Sequence, residues 1–349
     1  MDRNELFRWL GWHVSCLWQL MRNTGPVLAT FIRTLASPRL MATFFLLMAV
    51  AALAVAYDLL APTPAALIPL GLLVVNLLAS IASNARFRAD LPLLVFHVSL
   101  LAFVALLAVA RLTYLEGTAR VPVGGRFAGD LHTEERGALH GAGARSLRFS
   151  NEGFSEVFPE RNPYRQTHNR VRFADAAGTM HEGVIGDDRP LVLDAYRIYA
   201  SPNRGFAPVL QWRSDANTIE FATVQLGSIG KDGFSSGTHW PIPGGPRVWV
   251  SLSSEPAQAA PGTQRDNLGV REARNKLVLS HNEQFYDLQM GEDVALPGGR
   301  LTYTGLNAWM GYRIIYDPTL PWLIGTVAVA ISSLLWFYAR RLWRTWDED

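Results

Sequence analysis

Between Leu40 and Ser83 the sequence carries a single charged side chain, Asp58. That stretch holds two apolar runs: Leu40 to Tyr57, which has no charge, and Ala65 to Ser83, interrupted only by Pro69 and Asn76. A third run extends from Leu91 to Ala110, interrupted by Pro92, His97 and Ser99, and a fourth from Leu320 to Tyr338. Each has about 18–20 residues, roughly 27–30 Å as a helix, which matches the hydrocarbon thickness of a bilayer. Ser37-Pro38 supplies an N-cap and a first-turn proline for the first run. The expectation is an integral membrane protein with four transmembrane helices, arranged as three and then one. A purely soluble chain is excluded.

The rest of the sequence is ordinary polar protein. The mean hydropathy of the 349 residues is +0.09 and 18% of them are charged, so a bundle made wholly of membrane helices is also excluded. Residues 112–318 carry short alternating or β-branched runs: Ser146–Phe149, Arg170–Phe173, Leu191–Tyr199, Val209–Trp212, Thr218–Leu226, Arg247–Leu252, Lys276–Ser280 and Arg300–Leu306. Gly- and Pro-rich breaks such as Pro243-Gly244-Gly245-Pro246 separate them. This pattern predicts a large all-β domain, a sandwich or a partly open barrel. Glu255–Asp266, rich in Ala, Pro and Gln, reads as a mobile loop.

Arginine placement orients the chain. Arg3, Arg8, Arg22, Arg33 and Arg39 precede the first run, Arg86 and Arg88 lie between the second and third, and Arg340, Arg341 and Arg344 follow the fourth. The loop between the first two runs has no basic residue. Both termini are therefore expected in the cytoplasm, and the β-domain in the periplasm of a cell with a bacterial inner membrane. Residues 1–36 read as an amphipathic cytoplasmic segment, with Leu6, Trp9, Leu10, His13, Leu17 and Leu20 at helical spacing. Residues 37–111 hold the first three helices, and 319–349 the fourth helix and a short cytoplasmic tail. Trp322, Trp336, Trp343 and Trp346 are placed as interfacial anchors, and Trp212 and Trp249 in the β-core.

Little in the chain suggests hydrolysis or phosphoryl transfer: GxSxG, P-loop and HExxH motifs are absent. A net charge of +2 without a basic run argues against a nucleic-acid partner. With Cys16 as the lone cysteine, the chain can form no internal disulfide and attaches no c-type haem of its own. The sharpest chemical feature is His97, about 9 Å into the third run. An ionisable group at that depth is a functional candidate, and a neutral imidazole there suits the iron of a haem. The plainer reading makes it a hydrogen-bond partner of a neighbouring helix, through Asn76 or Ser99. Asn76 reads as glue between helices. Arg86 and Arg88 enforce topology or pair with haem propionates. His132, His140, His168, His181, His239 and His281 show no metal-ligand spacing and read as surface or turn residues.

Several segments appear in a recognisable order: Ser37-Pro38-Arg39-Leu40, Val75-Asn76-Leu77-Leu78-Ala79-Ser80, Phe96-His97-Val98-Ser99-Leu100-Leu101 and Tyr114 to Gly117. Then come Arg189-Pro190-Leu191 through Tyr196-Arg197-Ile198-Tyr199, Tyr303-Thr304-Gly305-Leu306 and Tyr316-Asp317-Pro318. In this layout the chain resembles the ResB (CcsB) family of System II cytochrome c biogenesis proteins over most of residues 37 to 344. The resemblance implies a component that helps to move haem across the membrane and present it to apocytochrome c, together with a CcsA-like membrane partner. It implies haem b on His97, and no catalytic residue beyond a non-catalytic half of a haem lyase. The tryptophan-rich segment of the partner is absent here, so the chain does not resemble the fused synthetase. The alternative is a ResB-like structural subunit of a larger respiratory or cytochrome-containing complex.

Overall fold

The computed structural model describes residues 26–141, 143–160, 166–175, 177–227, 234–254, 262–270 and 275–346. The amphipathic segment expected from Leu6 to Leu20 lies outside them, as does most of the loop expected from Glu255. The described chain divides into two compact units. One holds the helices up to Thr113, the short segment Gly137–Leu139 and everything from Pro318; the other holds Tyr114–Arg136 and His140–Asp317.

The first unit contains α1 (Pro26–Leu35), α2 (Pro38–Ala56), α3 (Pro62–Ser83), α4 (Ala85–Ala89), α5 (Leu91–Thr113) and α6 (Leu320–Trp346). Among these, α2, α3, α5 and α6 are long and apolar enough to cross a membrane. Sequence signals set their starts: Ser37 Oγ accepts a hydrogen bond from the Arg39 amide at 3.3 Å with Pro38 in the first turn, and α3 begins on Pro62. Helix α3 packs against α2 and α5, and α5 against α6. A small core forms where Leu70, Leu73 and Leu77 of α3 meet Val104 of α5. Only α3 is substantially enclosed: 39% of its apolar window is buried, against 6% for α2 and for α6. The other helices turn apolar faces outward, as a lipid or protein environment requires.

The break between α1 and α2 leaves carbonyls without helical partners. Asn76, which is buried, answers one of them, donating from Nδ2 to the Leu35 carbonyl at 2.5 Å, and also reaches the Ser37 carbonyl at 3.3 Å, which accepts the Met41 amide of α2 as well. One turn later Ser80 Oγ donates to Ala36 O at 3.3 Å. The reading of Asn76 as glue between helices thus gains a specific target, a helix break rather than His97.

The second unit is all-β apart from two short 3-10 turns. Its first strands are β1 (Leu115–Pro122), β2 (Arg126–Phe127), β3 (Thr133–Arg136), β4 (Phe149–Val157), β5 (Gln166–Ala174) and β6 (Met180–Ile185). Next come β7 (Leu191–Leu193), β8 (Tyr196–Ser214), β9 (Ile219–Thr223), β10 (Thr238–Pro241) and β11 (Arg247–Ser254). The series ends with β12 (Gln264–Asp266), β13 (Asn275–His281), β14 (Gln284–Leu288), β15 (Asp293–Leu296) and β16 (Gly299–Tyr316). They form three open antiparallel sheets rather than a single barrel: β3-β1-β16-β8-β7 with β15 and β9 alongside, β10-β11-β13-β14, and β12-β4-β5-β6 with β2. One hydrophobic core joins all three, through Leu210, Leu301 and Tyr312, Leu252 and Leu279, and Phe149 and Val171.

Several expected strands change on inspection. Ser146 ends a 3-10 turn, and the strand begins at Phe149. The run Leu191–Tyr199 is a hairpin, because Asp194 (φ 47°) and Ala195 (φ 68°) both take left-handed conformations and reverse the chain. The end of the expected mobile loop, Gln264–Asp266, pairs with β4 as a strand. Trp212 is buried in the core, but Trp249 is only partly covered and faces a cleft. Trp322, Trp336 and Trp343 are exposed.

Near the start of β1, Glu116 forms an ion pair with Arg313 of β16 (Nε to Oε1, 2.5 Å) and accepts the Tyr114 hydroxyl. The Arg313 hydrogen bond, aided by Tyr114, holds the Glu116 carboxyl below its ordinary value despite partial burial. A depressed folded-state pKa contributes stability that is present above the unfolded value and disappears as pH falls through the folded one. The wild type is therefore expected to unfold at higher temperature than Glu116→Gln at neutral pH. The gap should close as pH drops below the usual glutamate range, and a pH-independent gap in paired melts would refute this account.

Candidate functional site

Helix α5 opens after an extended residue, Asp90 (φ −107°, ψ 104°), whose carbonyl receives the Leu94 amide at 2.9 Å. Just before it, Asn84 caps the short α4, accepting the Arg86 amide at 3.1 Å. These two turns fold α4 against α5, and they lay the Phe87 ring on the His97 imidazole with centroids 3.9 Å apart and planes 22° from parallel. Phe96 meets the same imidazole edge-on at 5.3 Å. The ring is half-buried and its two aromatic neighbours restrict its rotation.

The polar contacts of His97 define its chemistry. Nδ1 lies 2.7 Å from the carbonyl of Leu93, one turn earlier. A carbonyl can only accept, so the bonded nitrogen carries the hydrogen and the lone pair sits on Nε2. Among the described residues Nε2 has no hydrogen-bond partner. A metal-ligating histidine is commonly held in this way, with one nitrogen donated to a backbone carbonyl and the other left to coordinate. The two neighbours expected to bond it are engaged elsewhere: Ser99 Oγ donates to Val95 O at 2.8 Å, and Asn76 serves the α1–α2 break. One ring nitrogen is thus left without a hydrogen bond, on an imidazole flanked by the Phe87 and Phe96 rings.

Of the two arginines flanking Phe87, Arg88 donates from Nη1 to the terminal carbonyls Ala82 and Ile81 of α3 and acts as a cap for that helix. Arg86 is exposed. Behind them, Asp90 lies 3.8 Å from Arg340 Nη1, an ion pair that ties the end of α6 to the α4–α5 turn. Phe87 carries no sequence signal of its own, since its contact exists only because the chain turns at Asn84 and again at Asp90.

The β-domain holds the remaining candidates. His181 Nε2 is 2.8 Å from Asp175 Oδ2, and this hydrogen bond, with the Thr179 and Ala177 amides, keeps the aspartate below its ordinary pKa. His140 Nε2 lies 3.2 Å from the Tyr196 hydroxyl, whose pKa burial pushes up to about 12. His281 Nδ1 is 3.3 Å from Arg247 O. Among the described residues no three His, Cys, Asp or Glu side chains gather into a metal-holding group. Sequence reasoning missed a buried ionic cluster, Glu156 with Arg204 and Arg265, whose members lie on three strands far apart in the chain.

No protein-family model matches the chain, and no curated protein is detectably similar to it.

Proposed function

We propose that the chain is a haem-handling membrane protein that serves cytochrome c maturation, as its resemblance to the ResB (CcsB) family implies. The observation that carries this reading is the His97 imidazole, which lies on an apolar helix with Nδ1 tied to Leu93 O and Nε2 unpartnered. Haem b is the cargo, and its iron accepts the imidazole lone pair. The Leu93 carbonyl holds the His97 ring in one tautomer, and Phe87 fixes its angle. Arg86, exposed and one residue from that ring contact, is the cation assigned to a propionate; Arg88 is held at the end of α3.

The arrangement of arginines supports an inner-membrane protein with both termini in the cytoplasm and the β-domain in the periplasm. The low burial of α2 and α6 leaves apolar faces that a membrane partner could cover. A CcsA-like protein is that partner, and apocytochrome c is the acceptor.

The test is the visible spectrum of the purified full chain, alone and coexpressed with a CcsA-like partner. Wild type is expected to carry a Soret band that His97→Ala loses and that added imidazole restores. Equal haem content in both proteins removes His97 from the mechanism. Stable copurification with an electron-transfer enzyme, without haem and without a maturation defect on deletion, supports instead a structural subunit of a respiratory complex.

A further inference from the structure

We propose that strand β9 pairs, antiparallel and edge to edge, with β9 of a second copy of this chain. Among the described residues β9 (Ile219–Thr223) is hydrogen-bonded to β8 and to no other strand. The Ser214 amide donates to Thr218 O at 2.9 Å, the Val224 amide to Pro208 O at 3.1 Å and the Leu226 amide to Phe206 O at 2.8 Å. In an antiparallel ladder, residues that bond one neighbouring strand alternate with residues whose N–H and C=O point away from it. In this register the even-numbered residues serve β8, and Ile219, Phe221 and Thr223 direct their backbone groups at the free edge. Among the described residues no hydrogen bond reaches them there.

The side chains make this edge apolar as well as unpaired. Alternation places Ile219, Phe221 and Thr223 on the face opposite the core residues Leu210 and Trp212. Ile219 is 47% exposed and Phe221 68%. Edge strands are ordinarily blunted by proline, lysine or other charges, and an unblunted one is a template for pairing. Strand β9 has no proline or lysine, and its one charge is Glu220. The occupant is a second copy because the strand is its own complement. A twofold axis at Phe221 sets that ring on the second copy's Phe221, Ile219 on the second copy's Thr223, and Glu220 on the second copy's Ala222. Aromatic rings meet, no two like charges oppose, and the outward N–H and C=O groups bond one another across the axis. A lipid or a small apolar ligand offers no such backbone ladder.

The experiment is sedimentation equilibrium of the full chain in a nonionic detergent, from low to high micromolar concentration. Wild type is expected to show a monomer–dimer equilibrium. Phe221→Lys sets two ammonium groups against each other in place of the rings and should weaken dimerisation on the order of tenfold or more. Thr223→Pro removes an outward N–H, leaves the ladder to β8 intact and should also shift the equilibrium toward monomer. An unchanged melting midpoint shows that each variant is folded, and crosslinking decides the matter should one fold poorly. In chains that also carry Cys16→Ser, oxidation should join Phe221→Cys to itself, since a hydrogen-bonded antiparallel pair sets its Cα atoms about 5.5 Å apart, within reach of a disulfide. Thr223→Cys lies opposite Ile219 and should not join to itself. The proposal is overturned if wild type stays monomeric at high micromolar concentration, if either folded variant dimerises like wild type, if Phe221→Cys does not crosslink, or if Thr223→Cys crosslinks as readily.

Discussion

Glu156→Ala is expected to destabilise the β-domain by about 3–5 kcal/mol, the range for removing one partner of a buried ion pair. The carboxylate is ion-paired with Arg204 through Oε1 and accepts hydrogen bonds from Arg265 on Oε2, and its side chain is fully buried. Its removal takes their shared counter-charge from two guanidinium groups, of which Arg204 is buried, and it leaves a small cavity as well. Arg204 retains only Thr167 as a hydrogen-bond acceptor, since its Nη2 already lacks one. At about 2–4 °C per kcal/mol for a domain of this size, the melting midpoint of the full chain should fall by on the order of 10 °C. Glu156→Gln should fall almost as far, because it preserves shape but not charge. A loss below about 1 kcal/mol in both variants would show that the pair is hydrated and screened like a surface bridge.

Asn169→Leu should cost about 2–4 kcal/mol, the penalty for stranding buried polar partners. Asn169 is fully buried on β5 and donates from Nδ2 to Asn151 Oδ1 at 2.8 Å and to Gly153 O at 3.0 Å. Its Oδ1 accepts the Tyr312 hydroxyl of β16 at 2.8 Å, while Asn151 donates on to Val121 O of β1 at 2.9 Å. The chain of bonds therefore stitches the sheet containing β4 and β5 to the one containing β1 and β16. Burial holds the Tyr312 hydroxyl far above the ordinary tyrosine pKa, so it stays a donor that needs an acceptor. Leucine fills a similar volume but accepts nothing. The double variant Asn169→Leu/Tyr312→Phe removes both ends of that bond and should recover part of the loss. A double variant as unstable as the sum of the singles would mean that the two side chains act independently.

The four long helices were readable from the apolar runs, and the structure ends three of them within a few residues of those runs, while α6 continues eight residues past Tyr338. His97 was readable as well, because an ionisable residue stands out in a run of twenty that is otherwise almost wholly apolar. The long strands were not. Val209–Trp212 and Arg300–Leu306 are fragments of β8 and β16, which continue through the polar residues Asn203, Arg204 and Asn307. Register shifts between Tyr303 and Gly305 and between Met310 and Tyr312 break the two-residue alternation that betrays a strand. The hairpin at Asp194-Ala195 lacks the Gly or Asn that usually marks one.

A bilayer-length helix satisfies its own backbone, so its existence depends on nothing beyond its own run of residues, and the letters of the chain suffice to locate it. A β-sheet satisfies its backbone through other strands, and a buried charge finds its partners across them. Glu156, Arg204 and Arg265 are separated by 48 and 61 positions, as their numbers show, and pattern reading links no such residues. The same holds for Phe87 against His97, a contact made by two turns rather than by any motif. Local chemistry placed the imidazole on its helix; long-range pairing chose which side chains surround it and where the interior charge collects.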